Sequence, residues 1–205
     1  MDFSRIISSF LASLFFVLQR IILLAIWPYK TMRRISEEKD YMQIFIIFLI
    51  ILVYFLSANK FREFDYEPGI LFILTIFHYS YTVIFFYFAA KIMKQEKNYT
   101  FESFLFTFAY ALIPTIIWFS ISSWIYAILP PPRTLSLLGK SFSILYISFS
   151  IALLAWKVIL QYLAIRFSTK LSFYSIMYSI LFYLVTIIPY SLFLYSLRFF
   201  RIPFL

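Results

Sequence analysis

Five long uncharged stretches, each of a length suited to crossing a lipid bilayer, dominate the chain of 205 residues. They cover 41–59, 68–90, 103–132, 141–165 (broken only by Lys157) and 171–197, and measure 19, 23, 30, 25 and 27 residues. An α-helix advances about 1.5 Å per residue, so about 20 apolar residues cross a hydrocarbon core about 30 Å thick. Lipid offers no partner to backbone N–H and C=O groups, and a helix satisfies its own. Barrel strands would alternate apolar and polar residues, which the run IFIIFLIIL from Ile44 to Leu52 does not. The expected fold is all-α: a polytopic membrane bundle of five transmembrane helices.

Composition supports lipid as the solvent. Hydrophobic residues make up 63% of the chain and charged residues 13%, whereas soluble domains carry about 25% charge. So much apolar surface exceeds what one compact core can hide. The net charge of +9 comes from Lys and Arg set between the apolar runs. There it is read as headgroup contact and topology control, and no nucleic-acid partner is expected.

Residues 2–27 differ from the five runs. Asp2, Ser4, Arg5, Ser8, Ser9, Ser13, Gln19 and Arg20 fall in one half of a helical wheel. Phe3, Ile6, Ile7, Phe10, Leu11, Leu14, Val17 and Leu18 fill the other half, with Phe15 and Phe16 intruding on the polar side. This pattern predicts an N-terminal interfacial amphipathic helix. Spanning would place Arg20 in the bilayer at a penalty of about 2.5–3.5 kcal/mol. The chain therefore divides into 1–40, an amphipathic helix with a basic surface segment, and 41–205, the five-helix membrane domain.

Several helix ends are readable. Pro28 ends the surface helix, and Pro68-Gly69 turns the chain into the second span. Thr100 is an N-cap for the third, with Glu102 near its positive dipole end. Pro130, Pro131 and Pro132 close that span, while Pro114 and Pro189 lie inside the third and fifth and are expected to kink them. With five spans, nine Lys and Arg residues fall in the segments 28–40, 91–102 and 166–170 on one side, against six on the other. The positive-inside rule then gives a plasma or inner membrane protein with a cytoplasmic N-terminus and an external C-terminus.

Chemistry is sparse. With no cysteine, two glycines and one histidine, the chain has no thiol chemistry, no phosphate loop and no metal cluster. No enzyme activity and no cofactor are expected. Lys157 is the one ionisable residue well inside a span; it shares a face with Gln161, and Glu102 is a candidate partner. His78 shares a face with Thr75 and Thr82. Together Lys157, Gln161, Glu102 and His78 form a candidate intramembrane polar site, weighed against a simple anchor whose lysine snorkels to the headgroups. Glu37 and Glu38 read as a solvated segment balanced by Arg33 and Arg34. Helix-packing positions are Ser103, Thr107, Tyr110 and Pro114 in the third span, and Ser172, Ser175, Ser179 and Thr186 in the fifth. A stripe of Ser141, Ser148, Ala152 and Ala155 marks the fourth. Span 41–59 carries only Gln43, Tyr54 and Ser57 as polar side chains and is expected to face lipid most.

Three stretches carry a family likeness: WPYKTMRRISEEKDYMQIF (Trp27 to Phe45), FESFLFTFAYALIP (Phe101 to Pro114) and AWKVILQYLAIRFSTKLSFYSIM (Ala155 to Met177). They resemble the Yip domain family of five-span membrane proteins named for interaction with Ypt/Rab GTPases. The resemblance implies five helices, a cytosolic N-terminus and action through partners. The long acidic N-terminal region of trafficking members is missing, so the chain looks like the short prokaryotic branch, and GTPase binding is not expected. The functional expectation is a non-enzymatic protein that associates with lipids, other membrane proteins or itself. The alternative is a small transporter or channel subunit using Lys157 and the polar helix faces.

Overall fold

A computed structural model describes residues 3–60, 65–93, 99–128 and 137–199. They form eight helices and no strand among the described residues: α1 (Phe3–Ile26), α2 (Pro28–Ile35), α3 (Tyr41–Ala58), α4 (Pro68–Met93), α5 (Phe101–Ala111), α6 (Ile113–Ile128), α7 (Leu137–Thr169) and α8 (Phe173–Ser196). Among the described residues, six stretches are long and apolar enough to cross a membrane: Ile7–Ile26, α3, α4, α5 with α6, α7 and α8. The protein is a multi-pass helical membrane bundle.

Local sequence sets the helix ends. Asp40 caps α3 by accepting from Met42 N–H at 3.1 Å. Thr100 caps α5 by accepting from Ser103 N–H at 3.3 Å, with Glu102 in the first turn. Pro28 opens α2, its N1 position losing nothing by lacking an N–H. Pro68 likewise is the first residue of α4. The third apolar run is two helices, because the α-helical bonding breaks around Leu112, just before Pro114. Pro189 is carried inside α8, which remains one helix. The three prolines 130–132 lie outside the described residues.

Centrally placed α5 packs against α7, α4 and α3, and α6 packs against α7 and α3. Phe104, Phe106, Ala109 and Tyr110 are wholly buried. Hydroxyls bind α5 to α7: Ser103 donates to Ser168 at 3.1 Å, and Thr107 and Ser168 share a hydrogen bond of 3.0 Å. On the other side, Tyr79 of α4 donates to the Leu105 carbonyl at 2.6 Å.

The first apolar run does not face lipid most. In α3, Gln43, Ile46, Ile47, Ile51, Tyr54, Phe55 and Ala58 are buried. Its few polar groups are used inward: Gln43 accepts from Tyr110 at 2.7 Å, and Tyr54 shares a 3.0 Å bond with Ser123 of α6. Few polar residues meant few partners needed, not exposure. The least buried span is α7, with 6% of its best apolar window buried against 39% for α3.

At the N-terminus, α1 packs on α3 and α2 packs on α7. Along α1 the inward face runs through Ser13, Val17, Arg20 and Leu24, while Leu11, Phe15, Leu18 and Ile22 point outward. Ser13 and Arg20 thus turn toward the protein rather than toward water. Arg20 forms an ion pair with Glu38 and donates to Gln43. Glu38 is therefore not simply balanced by Arg33 and Arg34. Partial burial raises the Glu38 carboxyl, but the hydrogen bond and charge of Arg20 outweigh it, helped by Lys39 N–H and Gln43, so its pKa lies below the ordinary value.

Candidate functional site

Helices α4, α7 and α8, together with α5 and α6 on either side of their break, line a cavity of about 220 Å³. From α7 come Lys157 and Gln161, one helical turn apart; from α4, His78 and Thr82; from α8, Tyr183 and Ser191. The break contributes Leu112 and Thr115. Interrupting the helix at Leu112 keeps α5 and α6 from filling this space with one continuous row of side chains.

Part of the polar lining is locked. Thr82 donates to the His78 carbonyl at 2.8 Å, and its oxygen is also 2.8 Å from the Tyr183 hydroxyl. With the threonine proton used, Tyr183 is the donor in that second bond, and it ties α8 to α4. The His78 ring packs on Tyr190 with centroids 4.8 Å apart. Part of the lining is not locked. The Thr115 hydroxyl is buried without a hydrogen-bond partner among the described residues. Lys157 has neither a hydrogen bond nor an ion pair among the described residues, whereas Arg20 of α1 is paired. A half-buried ammonium without a counter-charge among the described residues is costly in a membrane interior.

One side of the cavity opens to the outside of the bundle. Leu154, Val158 and Leu184 line it and are also 58%, 51% and 41% exposed. The opening lies between α7 and α8.

Lys157, Gln161 and His78 therefore meet at one place. Glu102 does not join them: it accepts from Tyr41 at 2.8 Å at the start of α5. Ser103 lies level with Ser168, which puts Lys157 eleven residues along α7, or about 16 Å from Glu102's end of the bundle. That axial offset is too great for an ion pair.

Of the packing positions, Ser103, Thr107 and Tyr110 bond to neighbouring segments as described, and Pro114 is buried beside the break. Ser179 is buried, donating to the Ser175 carbonyl and contacting Met93 of α4 at 3.1 Å. Ser172 and Ser175 instead serve the α8 N-cap, and Thr186 donates to its own helix at Tyr183. Ser168 and Tyr54 carry contacts between helices that spacing alone did not single out. Their signal was an aromatic hydroxyl or small hydroxyl on an inward face.

Ser141, Ser148, Ala152 and Ala155 of α7 are all exposed. Leu145 and Ile159, 68% and 49% exposed, complete the row. The six positions follow a 4-3-4-3-4 spacing.

No group of three or more His, Cys, Asp or Glu side chains that could hold a metal ion exists among the described residues. Compared with known proteins, the chain matches no family model, no curated protein and no solved structure.

Proposed function

We propose that this is a non-enzymatic plasma or inner membrane protein that acts by lateral association within the bilayer, its partner on α7 being a second copy of the chain. The observation that carries this reading is the exposed row Ser141, Leu145, Ser148, Ala152, Ala155 and Ile159. A 4-3 repeat keeps one seam facing a partner along a left-handed helix pair. Small residues at four of six positions let two backbones approach closely, which is how membrane helices gain packing energy where lipid removes the hydrophobic drive. A self-complementary row suits a two-fold pair, each copy presenting the same seam.

The same proposal includes five spans with α1 as an interfacial helix. Its support is that α1 meets the beginning of α3 and the 36–40 link through Ser13 and Arg20. The excess of Lys and Arg on one side supports a cytoplasmic N-terminus. The resemblance to the Yip domain family fits this topology and a role exercised through partners.

Single-molecule photobleaching of labelled protein in vesicles tests the function. A dimer population that falls with lipid dilution, and an association weakened at least about tenfold by Ala152→Leu, is expected. Ile73→Ala, on an exposed site of α4, serves as the control. Monomers at every density contradict the reading. The cavity favours a second one, a transporter or channel subunit; solute flux in vesicles, abolished by Lys157→Leu, would replace the first.

A further inference from the structure

We infer that the cavity around Lys157 binds the carboxylate end of a long-chain fatty acid, with the hydrocarbon tail leaving between α7 and α8 into lipid. This goes beyond the self-association reading and does not depend on it.

Three features select the ligand. First, Lys157 presents one positive charge without a counter-ion among the described residues, so a monoanion balances it. Gln161, one turn along α7, adds an amide donor to the same wall. Second, the volume of about 220 Å³ lies below the roughly 300–1,000 Å³ of pockets that swallow a whole small molecule. It holds a polar end and a few methylenes, not a complete lipid. Third, the opening is apolar: Leu154, Val158 and Leu184 line the cavity and also face the outside. A polar solute would have to cross that rim from lipid, whereas an acyl chain matches it. A charged group meeting an ammonium in a dry site is held by a charge-assisted hydrogen bond, about twice as strong as a neutral one. The chain, already in hydrocarbon on both sides of the rim, adds little penalty on entry.

The test uses full-length protein in nanodiscs and oleate labelled with ¹³C at the carboxyl carbon. Expected is a saturable, one-to-one bound carboxyl resonance absent from protein-free discs. Lys157→Met should weaken binding at least about tenfold, and Lys157→Arg should keep it within about threefold. Lys157→Met removes a charge from the bilayer interior, so it should fold, which elution as a single symmetric species verifies. Leu184→Trp, narrowing the opening without touching the charge, should also weaken binding. Partitioning that never saturates overturns the inference, as does binding indifferent to both Lys157→Met and Leu184→Trp. Equal competition by oleyl alcohol, or Lys157-dependent binding of phosphatidic acid without any of oleate, overturns it as well.

Discussion

Ser13, midway along α1, donates its hydroxyl to Asp40, the residue that caps the first turn of α3, across 2.7 Å. Two successive helices running antiparallel along their full length would set Ser13 roughly level with Tyr54 instead, since rise is constant along each helix. Seven residues further, Arg20 reaches Gln43 and Glu38. Meanwhile Gln43 donates to Asp40 at 3.2 Å, so both contacts belong to one polar cluster at the head of α3. Residues 13 and 40 therefore share one end of the bundle.

The first prediction concerns sidedness. An N-terminal epitope and a cysteine at Glu37→Cys should be reached from the same face of sealed vesicles by impermeant antibody and thiol reagent. Because the chain has no native cysteine, the label is unambiguous. Access from opposite faces would make α1 a sixth span.

A second prediction concerns the Arg20–Glu38 pair, whose side chains are 18% and 21% exposed. Removing one partner leaves the other partly desolvated and unpaired, at about 2 kcal/mol. Arg20→Met should lower the unfolding midpoint in mild detergent by several degrees. Lack of any shift would show that the pair is dispensable.

The same pair fixes an acid dependence. Glu38 has a pKa lowered from its ordinary 4.5, so its stabilising contribution is present above that value. It is lost as pH falls from the ordinary value through the lower folded one. Stability measured against pH should fall there in the wild-type chain, and the step should shrink in Glu38→Gln. An unchanged step in that variant would assign the acid loss elsewhere.

Interior hydroxyls give a fourth prediction. Thr107→Val removes the bond to Ser168 and leaves Ser103 as its remaining partner; Tyr110→Phe leaves Gln43 without one donor. Each should destabilise by about 0.6 kcal/mol and by no more than about 1.7 kcal/mol, the mean and the maximum for hydrogen bonds between membrane helices. Double-mutant cycles between Thr107 and Ser168 should show coupling, whereas a Thr107 and Tyr183 cycle should be additive.

Run length made the long helices legible, because lipid leaves the backbone few choices. Thr100 was readable as a cap for the same local reason. What escaped the sequence was facing. A span such as α3 with three polar side chains looks like lipid contact, yet Gln43 and Tyr54 are what draw it inward. Ser172 and Thr186 sit on the expected stripe but spend their hydroxyls on their own helix, an outcome spacing cannot separate from packing. Lys157, Gln161 and His78 met because the inward faces of α7 and α4 converged on the gap behind Leu112. Glu102 stood apart because axial level, which depends on how helices are staggered, is invisible in one sequence.

The central claim is the seam on α7, and a cysteine scan across residues 141–159, one substitution per protein, tests it most directly. Mild oxidation in native membranes should give disulfide-linked dimers with maxima at positions 141, 145, 148, 152, 155 and 159 and minima between them. Cross-linking without that 4-3 periodicity, or none along α7, would contradict self-association through this helix.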